Sequence, residues 1–490
     1  MAHFSAIYGK LPFCASPFCA AGSRSFGSAG VALCACYDHR ALNFTRRELL
    51  SGLAVVAGNA LLPASRLAAA PASDLRINPA RLRESLEGLS VFGRPPDGTF
   101  ADGVSRLAFT EADLAGRKYA MELMRSFGLE PRIDAAGNIF GYRAGSDPAR
   151  RSEQAPKPIL FGSHIDSVPS GGNFDGDLGS MAAIEVLHTF AEHGVTTGHP
   201  LQMAIWTNEE GGLIGSGIAA GVWQPSDLTR MYHGISMADG IRKIGGDPER
   251  LAEARLRPGS FHCYLELHIE QGGILYKEKV PIGVVEGIVS IDEYDVEIRG
   301  FANHAGTTPM PERRNALLAA AKLIEAVQAV VTKEPGRQVG TVGQLQVFPN
   351  APNVVPGLVK HTIELRDLSA EKIARLADEI QERAKQIAAE TGTEITVKRT
   401  QHDPPAIADP GIQQAIETVA REMGLATMRL PSGAGHDAQM IAKVCPIGMI
   451  FVPSVDGISH SPRELTRWED CANGANVLLQ TVLLVDQSTA

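Results

Sequence analysis

Residues 158–190, PILFGSHIDSVPSGGNFDGDLGSMAAIEVLHTF, form the stretch that decides the fold class. A short apolar run leads into a loop punctuated by glycine and proline, and the loop leads into a helix-like segment. This strand–loop–helix order is typical of an α/β protein. The loop carries His164 together with Asp166, Asp175 and Asp177. Imidazole and carboxylates are poor core material, so this loop needs a counter-charge, and a metal ion is the usual one.

Two further apolar runs end in polar residues in the same way. They are LQMAIWTNEE at 201–210 and CYLELHIEQGG at 263–273, and helix-like stretches at 112–127 and 180–194 lie between the runs. This alternation predicts a mainly parallel sheet with helices on its faces. Ligands of such sheets bind at the carboxyl ends of the strands, which is where the polar tails SHID, TNEE and HIEQ lie.

A different pattern occupies residues 286–400. The order is strand–helix–strand–strand–helix–strand, as in a small ferredoxin-like α+β unit, with the second strand expected as one segment at 337–349. The second helix follows a capping serine, Ser369. After residue 400 the first pattern returns, with a helix at 409–424. We therefore expect a leader at 1–72, a large α/β domain built from 73–285 and 401–490, and a small domain inserted at 286–400.

The composition excludes several classes of protein. Of the 490 residues 44% are hydrophobic and 21% are charged, and the formal net charge is −9. A negative chain without basic runs is not expected to bind nucleic acid, and no apolar run reaches the roughly 18 residues of a membrane span. Beyond the leader the cysteines are Cys263, Cys445 and Cys471. They are far apart and odd in number, which predicts buried apolar residues and no disulfide framework.

The leader differs from the rest of the chain in its charge. Adjacent Arg46 and Arg47 precede a moderately apolar run that ends in small residues. This is the order of an export signal, and the paired arginines indicate the twin-arginine route. We expect cleavage after Ala70 or Ala72 and a periplasmic or otherwise exported mature protein. The alternative is a basic tail on a cytoplasmic protein.

Seven residues outside the leader combine the side chains that a hydrolytic metal site needs. Each alone has an ordinary explanation, since single histidines are usually surface or core residues and paired glutamates are usually solvated. Together, three imidazoles and two carboxylates suit Zn²⁺ or Mn²⁺, and a further glutamate suits a general base. The candidates are His164, Asp166, Asp175, Glu209, Glu210, His268 and His460.

Eight short motifs occur in order along the chain: GSHIDSVPSGGNFDGDLG, TNEEGG, LELHIEQGG, NHAGTTPM, APNVVPG, RDL, SGAGHDA and GISHSPRE. Together they resemble the zinc-dependent amidase/carbamoylase family. That family includes N-carbamoyl-L-amino-acid hydrolases, β-ureidopropionases and allantoate amidohydrolases, within the aminoacylase and di-zinc exopeptidase superfamily. The resemblance covers nearly the whole mature chain. It implies a di-zinc exopeptidase-like α/β catalytic domain and a ferredoxin-like inserted domain that is both lid and dimer surface.

The resemblance implies a role for each metal-site candidate. His164 and His268 would each bind one metal ion, Asp175 would bridge the two ions, and Glu210 and His460 would complete their ligand sets.

Two more carboxylates are assigned by the same resemblance. Glu209 matches the general base, and Asp166 matches the carboxylate that orients His164. The histidine of HIEQGG, His268, favours the carbamoylase branch, because the peptidase branch has an acidic residue at this position.

The resemblance also implies residues that bind the substrate. Arg366 would grip the substrate carboxylate, since an arginine fork suits a planar carboxylate, and His304 would stabilise the oxyanion. In the family the residues matching His304 and Asn353 act in the partner subunit's site, which implies a homodimer. The other substrate residues would be Gln271, Asn353, Gly435 and His436.

The sequence thus predicts a homodimeric amidohydrolase with two divalent metal ions per subunit. It would act on an N-carbamoyl or ureido acid and release CO₂ and ammonia. An aminoacylase or metallo-exopeptidase of the same superfamily is the alternative, and a metal-containing binding protein without catalysis is another. Zinc, manganese, cobalt and nickel all suit the ligands, and allantoate and carbamoyl α- or β-amino acids all remain open as substrates. Two departures from the family pattern, Asp177 and the stretch EEGGLI in place of EEGARF, leave the substrate open but the metal set intact.

Overall fold

The computed structural model describes residues 74–145 and 156–487. The predicted leader, with Arg46, Arg47 and the expected cleavage positions, lies outside the described residues. Within them, Cys263, Cys445 and Cys471 are buried and free, as expected. No helix in these ranges is long and apolar enough to cross a membrane.

The described helices follow the predicted apolar periodicity closely. The predicted helix at 112–127 is observed at Glu111–Ser126, and the one at 180–194 is observed at Asp177–Glu192. In chain order the helices are α1 (Pro79–Leu89), α2 (Glu111–Ser126), α3 (Asp177–Glu192), α4 (Ile214–Ala219), α5 (Met237–Lys243), α6 (Ile274–Glu278), α7 (Ala316–Thr332), α8 (Ala370–Thr391), α9 (Pro410–Glu422), α10 (Asp437–Ile441) and α11 (Trp468–Asp486).

The strands form a large mixed sheet, a smaller antiparallel sheet and two short ladders. In chain order they are β1 (Pro131–Ile133), β2 (Ile139–Arg143), β3 (Ile159–His164), β4 (Leu201–Trp206), β5 (Met231–Tyr232), β6 (Ile235–Ser236), β7 (Cys263–Ile269), β8 (Ile282–Ile288), β9 (Ser290–Arg299), β10 (Asn303–His304), β11 (Val339–Thr341), β12 (Leu345–Phe348), β13 (Val354–Val355), β14 (Leu358–Asp367), β15 (Glu394–Asp403), β16 (Ala406–Ile407), β17 (Thr427–Ser432) and β18 (Ile447–Val452).

The large sheet has the order β1-β2-β4-β3-β7-β18-β8-β16, with β17 beside β8. Strands β4, β3, β7 and β18 run parallel to one another, and every residue of these four strands is buried. Burial on both faces explains why they are continuous apolar runs in the sequence. One face packs against α1, α3, α9 and α11, and the other packs against α10 and neighbouring loops. Because the four strands are parallel, their carboxyl ends meet at one edge, where the polar tails lie.

The smaller sheet is the predicted ferredoxin-like unit, with α7 and α8 packed on one face. Strand β9 alternates buried and more exposed residues along its length, as a half-covered strand must. The segment predicted as one strand at 337–349 is two short strands, β11 and β12, which both pair with β14. Strand β15 extends to Asp403, past the predicted limit at residue 400. The fold class is confirmed: a mainly parallel α/β sheet with a separate antiparallel α+β unit.

Helix α8 begins at the predicted cap. The Ser369 hydroxyl accepts a hydrogen bond from the backbone N–H of Lys372 at 3.1 Å. The acid of the cap is Glu371, which Ser369 contacts at 2.9 Å, so the cap differs from a full capping box, where the acid lies one position later.

Candidate metal centre and active site

The carboxyl edge of the large sheet gathers polar side chains from several loops. His164 ends β3, and His268 lies next to the end of β7. Glu209 and Glu210 follow β4, and Asp175 precedes α3. These strands are neighbours in the sheet, so the side chains converge although they are far apart in sequence.

A first group of ligand atoms is formed by His164, Asp175 and His268. Oδ1 of Asp175 lies 3.6 Å from Nε2 of His164 and 3.2 Å from Nε2 of His268. The Nδ1 atoms of the two rings lie 3.0 Å and 2.9 Å from the backbone oxygens of Asp166 and Ile269. Each ring is thereby held with Nε2 directed into the group, as in metal-binding histidines. Nε2 of His164 is buried and has no hydrogen-bond partner.

A second group is formed by Asp175, Glu210 and His460. Nε2 of His460 lies 3.4 Å from Oδ2 of Asp175 and 3.5 Å from Oε2 of Glu210. His460 has a left-handed backbone, with φ of 52°, a strained conformation for a non-glycine residue that is often found at functional sites. Asp175 thus faces both groups, one carboxylate oxygen to each. The expectation that His164 and His268 lie on different metal ions differs from this geometry, which places both in the first group.

Glu209 lies beside the first group. Its Oε2 is 3.8 Å from Nε2 of His164. The carboxylate of Asp166 accepts hydrogen bonds from the backbone N–H groups of Glu209 (3.1 Å) and Glu210 (3.2 Å). That carboxylate is 3.8 Å from Nδ1 of His164, too far for a hydrogen bond. Asp166 therefore holds the His164 ring through its backbone oxygen and uses its carboxylate to fix the glutamate loop, which differs from the expected contact.

The electrostatics of the cluster call for positive charge. Burial opposes protonation of His164, but the carboxylates of Glu209, Asp175 and Asp166 raise its pKa well above the usual value. Burial raises the pKa of Glu209 well above its usual value, and burial together with Asp175 raises the pKa of Glu210 to about 7. The charges of Glu209 and Glu210 are disfavoured, and Nε2 of His164 has no hydrogen-bond partner. Both features fit a pair of divalent cations, since cations would supply the missing counter-charge.

Close packing around His164 requires a glycine. Gly176 has φ of +67°, and a Cβ at this position would lie 2.3 Å from Cε1 of His164. Only glycine adopts this backbone freely and leaves space for the ring. The glycine of the FDG sequence is therefore part of the site.

The side chains of Gln271 and His436 lie at the cluster. Nε2 of Gln271 donates to Oδ2 of Asp175 at 2.7 Å. The His436 ring is buried, with its centroid 4.4 Å from that of His268 and its Nε2 2.8 Å from the Ser432 hydroxyl. Burial and the neighbouring His268 hold the pKa of His436 well below its usual value.

Arg366 lies where the small sheet meets the loop before His436. Its Nη1 donates to the backbone oxygen of Gly433 at 2.6 Å. Its Nε and Nη2 donate to the two carboxylate oxygens of Glu364 at 2.8 Å and 2.9 Å. The guanidinium is thus oriented from one side, and the end formed by Nη1 and Nη2 keeps donor capacity for a second anion. Gly435, the other predicted residue of this loop, is two residues from Gly433.

His304 and Asn353 lie together on the small domain. His304 pairs with Val354 between β10 and β13, and the N–H of Ala305 donates to the backbone oxygen of Asn353 at 2.9 Å. Both residues are exposed. No hydrogen bond or ion pair recorded among the described residues joins either side chain to the metal cluster of the same chain.

Comparison with known proteins identifies the family. The family model described as Peptidase family M20/M25/M40 matches residues 160–484. The chain is a member of the M20 peptidase family. It belongs to the hydantoinase/carbamoylase amidases within that family, and it is a hydrolase of C–N bonds.

Similar proteins match this M20 amidase over most of its length. An N-carbamoyl-L-amino acid amidohydrolase of Geobacillus stearothermophilus is 42% identical over 82% of this chain and 97% of its own. A ureidoglycolate hydrolase of Arabidopsis thaliana is 34% identical over 84% of this chain and 87% of its own. The crystal structure of a hydantoinase/carbamoylase family amidase from Burkholderia multivorans has 36% identity and a TM-score of 0.76, and the match covers 85% of this chain and 100% of that one.

Asp177, the extra acid of this M20 amidase, forms an ion pair with a buried arginine. Its carboxylate accepts a hydrogen bond from Nη2 of Arg106. Arg106 is fully buried and also donates to the backbone oxygens of Ile165 (2.6 Å), Leu89 (3.1 Å) and Phe92 (2.9 Å). The pair therefore ties α1 to the loop that carries His164.

Two buried glutamates that support the site were not among the sequence candidates. Oε1 of Glu464 accepts hydrogen bonds from the N–H groups of Phe174 (3.0 Å) and Asp175 (3.1 Å). Glu266 accepts from the Ser163 hydroxyl (2.8 Å) and the N–H of Ala438 (3.0 Å). Glu266 could have been found from the period of two that places it on the same strand face as His268, and Glu464 lies inside the motif GISHSPRE.

Proposed function

We propose that this M20 amidase hydrolyses the carbamoyl C–N bond of N-carbamoyl amino acids or related ureido acids such as allantoate, with release of CO₂ and ammonia. The observation that carries the proposal is the position of His268, 3.2 Å from Asp175 in the first ligand group. A histidine there favours the carbamoylase branch over the peptidase branch. The names of the two curated relatives reported above support the same substrate class.

The two ligand groups suit one divalent cation each. His164, Asp175 and His268 would hold one, and Asp175, Glu210 and His460 would hold the other, whether zinc, manganese, cobalt or nickel. When bound, such a pair lowers the pKa of a water molecule and polarises the carbonyl.

Glu209 is placed to move the proton. It is next in sequence to a ligand and faces the first group, where it would take a proton from the water and pass it to the leaving nitrogen. Burial raises the pKa of Glu209 well above its usual value, which makes its carboxylate a stronger base.

Substrate binding would combine Arg366, Gln271 and the loop that holds Gly435 and His436. The free end of the Arg366 fork would take the substrate carboxylate. His304 and Asn353 are exposed on the small domain and would act in the partner subunit's site, His304 on the oxyanion. The proposal therefore includes a homodimer.

A substrate panel tests the reaction. Metal-loaded protein is given N-carbamoyl amino acids, allantoate, N-acetyl amino acids and dipeptides, and ammonia and amine release are followed. We expect ammonia release from ureido acids. Turnover of only N-acetyl amino acids or dipeptides would instead identify an aminoacylase or exopeptidase.

Glu209→Gln supplies the control for this panel. We expect loss of turnover with unchanged metal content, which also separates an enzyme from a metal-containing binding protein. Activity that survives chelation would contradict the metal assignment.

Mixed dimers test the shared site. We expect His304→Ala and Glu209→Ala subunits to be inactive alone. After dissociation and reassociation we expect roughly a quarter of wild-type activity, since half of the dimers are mixed and each has one complete site. No recovery in verified mixed dimers would contradict a site shared between subunits.

Export through the twin-arginine route is part of the proposal and rests on Arg46 and Arg47. Fractionation of cells that express the full chain should place the mature protein outside the cytoplasm. Arg46→Lys together with Arg47→Lys should block export and retain the protein in the cytoplasm. Cytoplasmic accumulation of the unchanged chain would favour the alternative location.

A further inference from the structure

Leu213 has an unusual backbone for its residue type. Its φ and ψ are 56° and 45°, in the left-handed region, at the start of α4. A branched, non-glycine side chain raises the free energy of this conformation, and Gly211 and Gly212 directly precede it. The chain thus keeps leucine at a position where glycine or asparagine would fit without strain, which points to a use for the side chain.

The backbone of Leu213 is fixed to the catalytic loop. The N–H groups of Gly212 and Leu213 donate to the backbone oxygen of Glu209 at 2.9 Å and 2.8 Å. Gly217 in turn donates to the oxygen of Leu213 at 2.9 Å. Hydrogen bonds therefore hold the backbone of Leu213, from which the side chain projects, against the Glu209 loop.

The side chain of Leu213 does not serve the core. Its neighbour Ile214 is fully buried in an apolar cluster with Ile218 and Ile241, whereas Leu213 is half-buried and joins none of the apolar clusters of the described residues. Packing of the fold therefore does not explain this leucine.

The Leu213 side chain instead faces the loop at 432–436. A Cβ at Gly435 would lie 3.9 Å from Cδ1 of Leu213. Open space adjoins both loops, since a Cβ at Gly212 or at Gly433 would meet nothing within 4 Å. The oxygen of Gly433 accepts the hydrogen bond from Arg366. Leu213 is thus an apolar group between the loop of Glu209 and the loop at 432–436, which accepts the hydrogen bond from Arg366.

We infer that Leu213 is a specificity-determining residue that forms an apolar wall for the group attached to the α-carbon of the substrate. The inference rests on the proposed function, because a ureido carbonyl at the metal groups and a carboxylate at Arg366 would place the α-carbon between these two loops. Substrates with an apolar α-substituent, such as N-carbamoyl-L-leucine, are then preferred over those of similar size with a polar one, such as N-carbamoyl-L-asparagine. A polar group against Leu213 loses its hydrogen bonds to water and gains none.

The test compares kcat/KM for these two substrates in the metal-loaded dimer. Wild type should prefer the leucine derivative by about tenfold or more, and Leu213→Asn, which keeps the left-handed backbone and changes the wall to an amide, should reduce that preference at least about tenfold. Leu213→Gly relieves the backbone strain and should also lose the preference, so a folding defect cannot account for the result. Lys279→Asn is the matched control, because Lys279 is exposed and has φ of 57°, and its ratio should equal that of wild type.

The outcomes separate this inference from the proposed function. Ammonia release from both substrates with the same preference in wild type and Leu213→Asn would overturn only the role of Leu213, as would a wild-type preference for the asparagine derivative. No ammonia release from any ureido acid by wild type would overturn the proposed function, and the role of Leu213 with it.

Discussion

The buried pair of Arg106 and Asp177 allows a quantitative test of how this site is supported. Arg106 is fully buried and Asp177 is almost so, so neither charge is solvated. Burial raises the pKa of Asp177 to about 6 even though Arg106 opposes the shift. Desolvation of the carboxylate thus raises the pKa of Asp177 by more than Arg106 lowers it. This is the usual balance for a buried ion pair.

Breaking the pair on one side should be costly. Asp177→Leu leaves the Arg106 guanidinium buried with three backbone oxygens but no counter-charge, a loss of about 3–5 kcal/mol in the free energy of unfolding. Arg106→Met leaves the carboxylate unpaired and removes donors from three carbonyl groups, with a loss of similar size. For a domain of this size each single change should lower the midpoint of thermal unfolding by about 5–8 °C.

Removing both charges should cost far less than the two single losses added together. In Arg106→Met with Asp177→Leu neither position carries a buried charge, so we expect a coupling free energy of about 2–4 kcal/mol. Differential scanning calorimetry of wild type, the two single variants and the double variant measures the four midpoints. Losses that add to within about 0.5 kcal/mol would refute the reasoning, because independent sites behave in that way.

Three other perturbations follow from the structure. Glu364→Gln should raise KM for carboxylate substrates about five- to tenfold with little change in kcat, since the amide orients Arg366 less firmly. Glu417→Gln, which weakens a surface pair with Arg429, is the control. An unchanged KM in Glu364→Gln would contradict the role of Glu364. Burial raises the pKa of Asp113 to about 6, so the stability that this carboxyl contributes is present below about pH 4 and is lost as the pH rises through about 6. The free energy of unfolding of Asp113→Asn, relative to that of wild type, should therefore rise by up to about 3 kcal/mol between these limits in metal-free protein. A difference in unfolding free energy between the two proteins that stays constant with pH would refute this. Removal of divalent cations by a chelator should lower the thermal midpoint, because the carboxylate cluster loses its counter-charge, and added zinc should restore it; an unchanged midpoint in calorimetry would contradict a metal-bound cluster.

Much of the fold could be predicted because its signals are local. Strands β3, β4, β7 and β18 are continuous apolar runs, and α7 and α8 have clear helical periodicity with caps at their starts. The division of 337–349 into β11 and β12 could not be predicted, since both strands are defined by antiparallel pairing with β14. Strand length set by a distant partner has no signal in the segment itself.

The candidate site shows the same limit. The residues of the first and second ligand groups could all be identified from the loops and motifs of the sequence. The grouping of His164 with His268 could not, because it depends on the pairing of β3 with β7. Glu464 supports Phe174 and Asp175 from almost three hundred residues away. Contacts of that sequence separation are fixed by the topology of the sheet, and composition or spacing does not encode them.

Asp177 shows why acidity alone does not identify a metal ligand. The carboxylates on or beside the two ligand groups include Asp166, Asp175, Glu209, Glu210, Glu266 and Glu464, and two divalent cations would bring four positive charges to them. An unpaired Asp177 would add a further negative charge two residues from Asp175. Arg106 cancels that charge inside the fold, so the pair as a whole adds no net charge to the cluster. Asp177 therefore has a structural role and not that of a metal ligand because of its partner Arg106, which lies seventy-one residues earlier in the chain.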